Sequence, residues 1–212
     1  MQQLILPLNT CKVTAAYQNK HYRQSYGYSH YGVDYADGRE IVASGTGVVY
    51  GAGYDQKMGN TVVILYPLCK LHDGSVKDLT LRYCHLEQIE VKQGQVVVAG
   101  ERIGITGQTP IGKINGIHLH LEVDTDTKAP LYTPSIAAHS NLLRAGYRGE
   151  RDSTLDPSTA LYIGEGQRVY RLPSAEDWTK PEDAKLPVAS TADVKDCCRV
   201  LVEVVRMISR MI

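Results

Sequence analysis

No phenylalanine occurs in this 212-residue chain and tryptophan occurs once, so its aromatic content rests on fourteen tyrosines. With nineteen glycines beside them, that mixture suits short strands and tight turns and favours a β-rich fold. An excess of charge is also missing, since 23 Lys and Arg balance 23 Asp and Glu. A nucleic-acid binder collects phosphates with a basic field; the chain has neither that field nor an RNP, zinc-finger or helix-turn-helix pattern, so no nucleic-acid partner is expected. No stretch approaches the ~20 apolar residues that a membrane span needs. The amino-terminal MQQLILPLNTCK lacks a basic n-region and its apolar run is broken by Pro7, so synthesis in the cytoplasm without a signal peptide is expected. Cys11, Cys69, Cys84, Cys197 and Cys198 form an odd set, expected as free thiols in a reducing compartment. Cys69 with His72 and Cys84 with His85 could be drawn as half-sites. No second CxxC or CxxH stands at a zinc-ribbon spacing, so a cysteine-type zinc site is not expected.

What remains is an ordinary globular composition, 43% hydrophobic and 22% charged, in a chain long enough for one substantial domain with an appendage. From Ile41 to Val123 short apolar or alternating runs are separated by turn signals: TGVVYGA, NTVVILY, LTLRYCHL, GQVVVAG, ERIGITG and IHLHLEV. They predict a mainly β, antiparallel sandwich or barrel-like domain, with Asp73-Gly74 at a hairpin tip. IVASGTGVV and QVVVAGERIG are faintly self-similar, as an internal duplication would leave them. After Val123 the chain makes an excursion with weak helical character around Ile136 to Arg144. A short closing helix then begins near Asp156-Pro157, where Asp can cap and Pro suits the first helical position. The expected organisation is a β-domain over residues 1–170, a linker over 171–196 and an amphipathic helix over 197–212. On that helix Arg199, Glu203, Arg206 and Arg210 make a polar stripe opposite Val200, Val204, Met207, Ile208 and Met211. So short a helix is marginal alone, and packing on its own domain, self-association or a membrane-surface contact would each cover its apolar face.

Three places concentrate chemistry. In GIHLHLEV, a strand would put His118 and His120 on one face and Leu119 and Leu121 on the other. In SHYGVDYA, His30 and Asp34 are four apart; a regular strand would hold them ~13 Å apart, so sharing one ion requires a bend, which Gly32 permits. In LRYCHL, His85 is expected to share a face with Tyr83, with Cys84 pointing the opposite way into the core. Two histidines and a carboxylate, with a position left for water, are one known ligand set of catalytic zinc. Two imidazoles remain to spare, and the spacing alone leaves open whether His118 or His120 is a ligand. His21, His72 and His139 read as surface or loop residues.

HYGVDYA, YCHL and GIHLHLEV, in that order, resemble the HxGxD, Y-x-H-L and HLHxE motifs of the lysostaphin-like zinc endopeptidases of bacterial cell walls. The intervening strands are similar in register from about Leu6 to Val123, and LDPSTALYIG is similar to the element that closes the domain. The hairpin insertion PLCKLHDGSVKD, the excursion from Asp124 to Ser153 and Cys84 depart from the family pattern without touching a motif residue. The resemblance implies a duplicated-hybrid-motif β-fold over residues 1–170, one zinc per chain on His30, Asp34 and His120, and His85 and His118 as the unliganded catalytic pair. It implies hydrolysis of stem or cross-bridge peptides of peptidoglycan, with imidazole doing the base work because there is no HExxH glutamate. A phage or prophage endolysin acting on the wall after release is the expected setting, with a secreted mature form as the alternative. An inactive wall-binding or hydrolase-activating module of the same fold is the competing reading, and it would tolerate loss of a ligand that this chain retains.

Overall fold

The computed structural model describes residues 1–147, 152–171, 182–183, 190 and 194–211. The chain opens with β1 (Leu4–Ile5) and β2 (Thr10–Ala15), turns through helix α1 (Lys20–Tyr26), and enters β3 (Val33–Ala36) and β4 (Glu40–Val42). Next come β5 (Gly47–Asp55), β6 (Gly59–Lys70), β7 (Val76–Leu86), β8 (Gln88–Ile89), β9 (Val96–Val97), β10 (Arg102–Ile105) and β11 (Leu119–Asp124). Short pieces follow: β12 (Tyr132–Thr133), β13 (Arg144–Ala145), β14 (Thr154–Leu155), a 3-10 turn (Pro157–Thr159), β15 (Leu161–Tyr162), β16 (Arg168–Arg171) and β17 (Glu182–Asp183). Helix α2 (Val194–Ser209) ends the ordered elements.

Most strands join one ten-stranded sheet, ordered β17-β16-β2-β3-β11-β7-β6-β5-β9, with β14 also on β11. A three-stranded sheet, β4-β10-β8, supplies the second layer. The principal core lies between them: Ile41 and Ile103 of the small sheet join Val33, Tyr35, Val49, Val62, Ile64, Leu81, Leu119 and Leu121 of the large one, all buried. The sheets are open, so the architecture is the sandwich and not the barrel of the sequence expectation. The two self-similar segments explain the join. IVASGTGVV runs from β4 into β5 and QVVVAGERIG from β9 into β10; β4 pairs antiparallel with β10, and β5 with β9. Each copy crosses between the layers and clasps the other.

The hairpin tip falls where Asp73-Gly74 places it, between β6 and β7, with Gly74 N–H donating to Leu71 O at 3.0 Å. Asp156 accepts from Ser158 N–H and Pro157 opens the predicted closing helix, a single 3-10 turn. No helix forms around Ile136 to Arg144. Buried Asp55 instead accepts the backbone N–H groups of Leu142 and Leu143 at 3.2 and 2.9 Å, an anchor that overrides weak helix propensity. Helix α1 was not anticipated, although Asn19 caps it and Gly27 closes it in the left-handed region, both readable signals. Most of the expected linker, 171–196, lies outside the described residues. Helix α2 begins slightly earlier than the predicted tail and lays Val200, Val204 and Met207 against Val48 of β5 and Leu65 of β6, so its apolar stripe is covered by its own chain. Among the described residues, no helix is long and apolar enough to cross a membrane.

Candidate metal centre

The centre is assembled where β3, β11 and β7 lie side by side. Antiparallel register sets His120 directly opposite Asp34 on one flank and Cys84 on the other. Directly opposed residues share a face, so Asp34 and His120 meet while Leu119 and Leu121 fill the core behind them. His30 is brought in by the bend at Gly32, just before β3. A Cβ at Gly32 would stand 2.6 Å from Leu121 O and 2.8 Å from the His120 ring, so only glycine allows this approach. His30 Nε2 lies 3.1 Å from Asp34 Oδ1 and 3.1 Å from His120 Nδ1, and His120 Nδ1 lies 2.8 Å from Asp34 Oδ1. A tetrahedron of N and O ligands at about 2.0–2.1 Å from an ion has edges of about 3.3–3.4 Å, so the triangle is near the right size before any adjustment.

Each imidazole has one nitrogen tied down and the other turned toward the group. His30 Nδ1–H donates to Ala16 O at 3.0 Å, leaving Nε2 with its lone pair. His120 Nε2–H donates to Glu122 Oε1 at 3.3 Å, leaving Nδ1. This carbonyl and carboxylate support is what metal-ligating histidines carry. Two further rings complete the set. His85 Nδ1–H donates to Thr109 O at 2.9 Å, and its ring centroid lies 5.0 Å from that of His118 and 5.7 Å from that of His120. His118 Nδ1–H donates to Gly116 O at 3.1 Å, with Nε2 3.8 Å from Asp34 Oδ1. The expected alternation fails at His85. Its φ of 69° turns it away from the principal core, where Tyr83 lies, and onto the face of the metal triangle. Cys84 does point opposite to Tyr83, into a second buried cluster with Met58, Val63, Ile136 and Leu143. His21 and His139 are exposed, and His72 is tied through Nε2 to Leu161 O.

The electrostatics favour a positive charge at the centre of the triangle. Burial opposes ionisation of Asp34, but bonds from His120 and His30 outweigh it and hold the carboxyl far below its usual range. Burial likewise opposes a charged His120, yet its bonds to Asp34 and Glu122 raise it to about 10. The fit to a divalent metal rests on the donor set itself, one buried carboxylate and two imidazoles whose outer nitrogens are tethered. His85 behaves oppositely: burial, then the neighbouring His120 and His118, push it down to about 3 and keep it neutral. Burial lifts the Cys84 thiol well above its ordinary value, and Cys69 Sγ bonds Tyr66 O, so neither sulfur is prepared as a thiolate ligand.

Behind His120 lies a network that sequence reasoning passed over. Fully buried Glu122 takes His120 Nε2–H, Thr133 Oγ1–H at 2.8 Å and Ser135 Oγ–H on its Oε1, and Arg82 Nη1 at 3.0 Å on its Oε2. Arg82 also reaches Asp124 at 2.9 Å and Pro130 O at 2.8 Å. The signal was present: Glu122 is two residues beyond His120 on one strand and so shares its face, and a lone Arg inside the apolar run LTLRY needs a buried acid. Tyr22 of α1 was passed over too; its ring stacks on His30 at 4.4 Å. The triangle opens into a cleft of about 440 Å³, with Tyr22, Lys57, Met58, Lys113 and the stretch Pro134–Ala138 in its walls.

Residues 28–131 match the family model described as Peptidase family M23. Over 96 residues the chain is 40% identical to the peptidoglycan DD-endopeptidase ShyA of Vibrio cholerae, covering 44% of this chain and 20% of that protein. The chain thus spans about a fifth of the length of the curated relatives it matches. A zinc-containing peptidase from Vibrio cholerae is similar in structure at a TM-score of 0.45, with 27% identity over 57% of this chain and 37% of that one. The antimicrobial peptidase lysostaphin of Staphylococcus simulans is similar at a TM-score of 0.45, with 27% identity over 60% of this chain and 48% of that one.

Proposed function

Residues 28–131 belong to peptidase family M23, and from that premise we propose that the chain is a zinc-dependent endopeptidase that hydrolyses peptide bonds in bacterial peptidoglycan. The observation that carries the reading is the ligand triangle of His30, Asp34 and His120 beside two further tethered imidazoles. An inactive binding module would have no use for so complete a set. His30 Nε2, His120 Nδ1 and Asp34 Oδ1 would hold the zinc. When bound, the ion supplies Lewis acidity toward the amide carbonyl and lowers the pKa of water toward ~7.

The remaining work falls to the protein's own groups. His85 and His118 each commit Nδ1–H to a backbone carbonyl, which leaves Nε2 free to exchange protons with substrate. Between them they supply an acceptor for the proton of the attacking water and a donor for the departing amine, so that water adds across the C–N bond and a carboxylic acid and an amine result. Burial keeps His85 in the neutral form that an acceptor requires. The cleft walls hold the peptide with its carbonyl toward the triangle.

The test is digestion of purified walls of several cross-link chemistries by protein of measured zinc content, with fragments read by mass spectrometry. New amine and carboxyl ends at peptide bonds, lost on chelation and regained with zinc, are expected. Protein that carries one zinc per chain yet releases no fragment from any wall would overturn the reading.

A further inference from the structure

Helix α2 carries more apolar surface than its own domain covers. Val200, Val204 and Met207 are buried against β5 and β6, yet Leu201, Val202 and Val205 are 47%, 51% and 62% exposed, and Cys198 beside them is an exposed free thiol. At about 100° per residue these four fall within an arc of about 100°, on the side turned away from the sheet. Next to that strip stand the exposed Arg199 and Arg206, with Arg210 just beyond the helix end. The two acids of α2 are only partly exposed and are already engaged: Asp196 with the Met1 amino group at 2.9 Å and with Arg199 at 3.9 Å, and Glu203 with Arg206. The outward face is therefore apolar along one half and net positive along the other. Where the halves meet, Cys198, Val202 and Leu68 of β6 border an open hollow of about 400 Å³, rimmed by Arg199, Glu203 and Arg206.

We propose that the outward face of α2 docks on the surface of an anionic lipid membrane, with Leu201, Val202 and Val205 sunk at the boundary of the acyl chains and Arg199, Arg206 and Arg210 on the headgroups. A helix lying in the membrane plane joins burial of an apolar strip to attraction for anionic lipid, and both ingredients stand on this one face. A second copy of the chain fits it less well, because isologous pairing would set the same three arginines against their counterparts and double the positive excess. A soluble polyanion would engage the arginines and leave the apolar strip uncovered. None of these residues lines the metal cleft, so the proposal is independent of the endopeptidase reading. Each arginine near an anionic surface contributes roughly fivefold in binding and the two acids offset part of this, so a preference of about tenfold or more over a neutral bilayer is expected.

The test is co-sedimentation of the full chain with vesicles of phosphatidylcholine alone or with about one third phosphatidylglycerol. Binding to the anionic vesicles should be about tenfold or more tighter and should weaken as salt is raised. The triple variant Leu201→Gln, Val202→Gln, Val205→Gln and, separately, the triple variant Arg199→Gln, Arg206→Gln, Arg210→Gln should each lower that binding by about tenfold or more. Both should melt close to the wild type, since the exchanged side chains are exposed. Equal binding to the two kinds of vesicle, or binding to neither, overturns the proposal. If the arginine variant releases the vesicles and the apolar variant does not, the face is a polyanion site and the membrane reading falls. A dimer in light scattering that dissociates in the apolar variant, with no vesicle binding, gives the face to a second copy instead.

Discussion

Replacing Glu122 by Gln changes one oxygen to an NH2 group, and the structure specifies which contacts must break. His120, Thr133 and Ser135 all donate to Oε1, whereas Arg82 donates to Oε2. An amide that keeps its oxygen for the first three points its NH2 at the Arg82 guanidinium, donor against donor; an amide turned the other way sets its NH2 against His120 Nε2–H, while the two hydroxyls can rotate to accept from it. Either choice leaves a buried donor unmatched in a site with no solvent to repair it. Removing one partner of a buried ion pair can cost about 3–5 kcal/mol. Here Arg82 retains Asp124 and Pro130 O, so a smaller cost than that range, about 2–3 kcal/mol, is expected, which corresponds to roughly 4–12 °C in melting temperature for a domain of this size. The same change loosens the Nε2–H tether that fixes His120 with its Nδ1 lone pair inward, and weakening such support lowers metal affinity by about 10–100-fold. The assay is a zinc titration against a competing chelator, with calorimetric melts of the metal-free protein alongside. Asp124→Asn is the control, because it cuts the other arm of Arg82 without touching the His120 tether; it should lower the melt while shifting zinc affinity less than Glu122→Gln does. Should Glu122→Gln bind zinc and melt as the wild type does, the network has no hold on His120 and the reasoning fails.

Other expectations follow from the same geometry. His120→Ala should lose zinc by elemental analysis, whereas His118→Ala should keep it and lose turnover by about 100-fold or more on soluble wall peptides; the reverse pattern would exchange their roles. Burial acts against ionisation of Asp55, but the N–H bonds from Leu143, Met58 and Lys57 outweigh it and hold its pKa below the ordinary value. A depressed native pKa gives stability that is complete above the unfolded value of ~3.9 and is lost as pH falls through the native value. Asp55→Asn should therefore cost about 1–3 kcal/mol at pH 6 and progressively less as pH falls below the unfolded value of ~3.9, in melts followed by circular dichroism; a pH-independent difference would contradict this. Met207→Ala should lower stability by about 2–3 kcal/mol, because it opens a void against Val48 and Leu65, while leaving zinc affinity unchanged since no residue of the metal centre belongs to that cluster.

The frame of the molecule was readable because it depends on short-range rules. Alternation in IHLHLEV put His118 and His120 on one face, and Gly32 was the one residue that could bring His30 back to Asp34. Turn signals bounded each long strand, and the two self-similar segments marked the clasp between β4-β5 and β9-β10. What escaped depended on long-range partners. Asp55 and the backbone of Leu142 and Leu143 are 87 and 88 residues apart, so nothing local in SNLLRAG announces that its N–H groups are taken. The inversion at His85 is held by Met58 O and Thr109 O, from two segments distant in sequence, and a strand pattern has no symbol for it. Charge in the cleft wall was equally invisible, since Lys57 and Lys113 are ordinary loop lysines until the fold sets them around one opening.

The way the four imidazoles are suspended has one more effect. His30 hangs from Ala16, just beyond β2, and His120 from Glu122 on its own strand, so the ligand triangle is fastened to the sheet. His85 and His118 both hang from carbonyls of one loop, Thr109 and Gly116. His85 itself stands on β7, so a displacement of that loop alone would untether both proton-handling rings while leaving the ion's seat where it was. The seat of the ion and the aim of the two unliganded imidazoles are thus set by different parts of the chain.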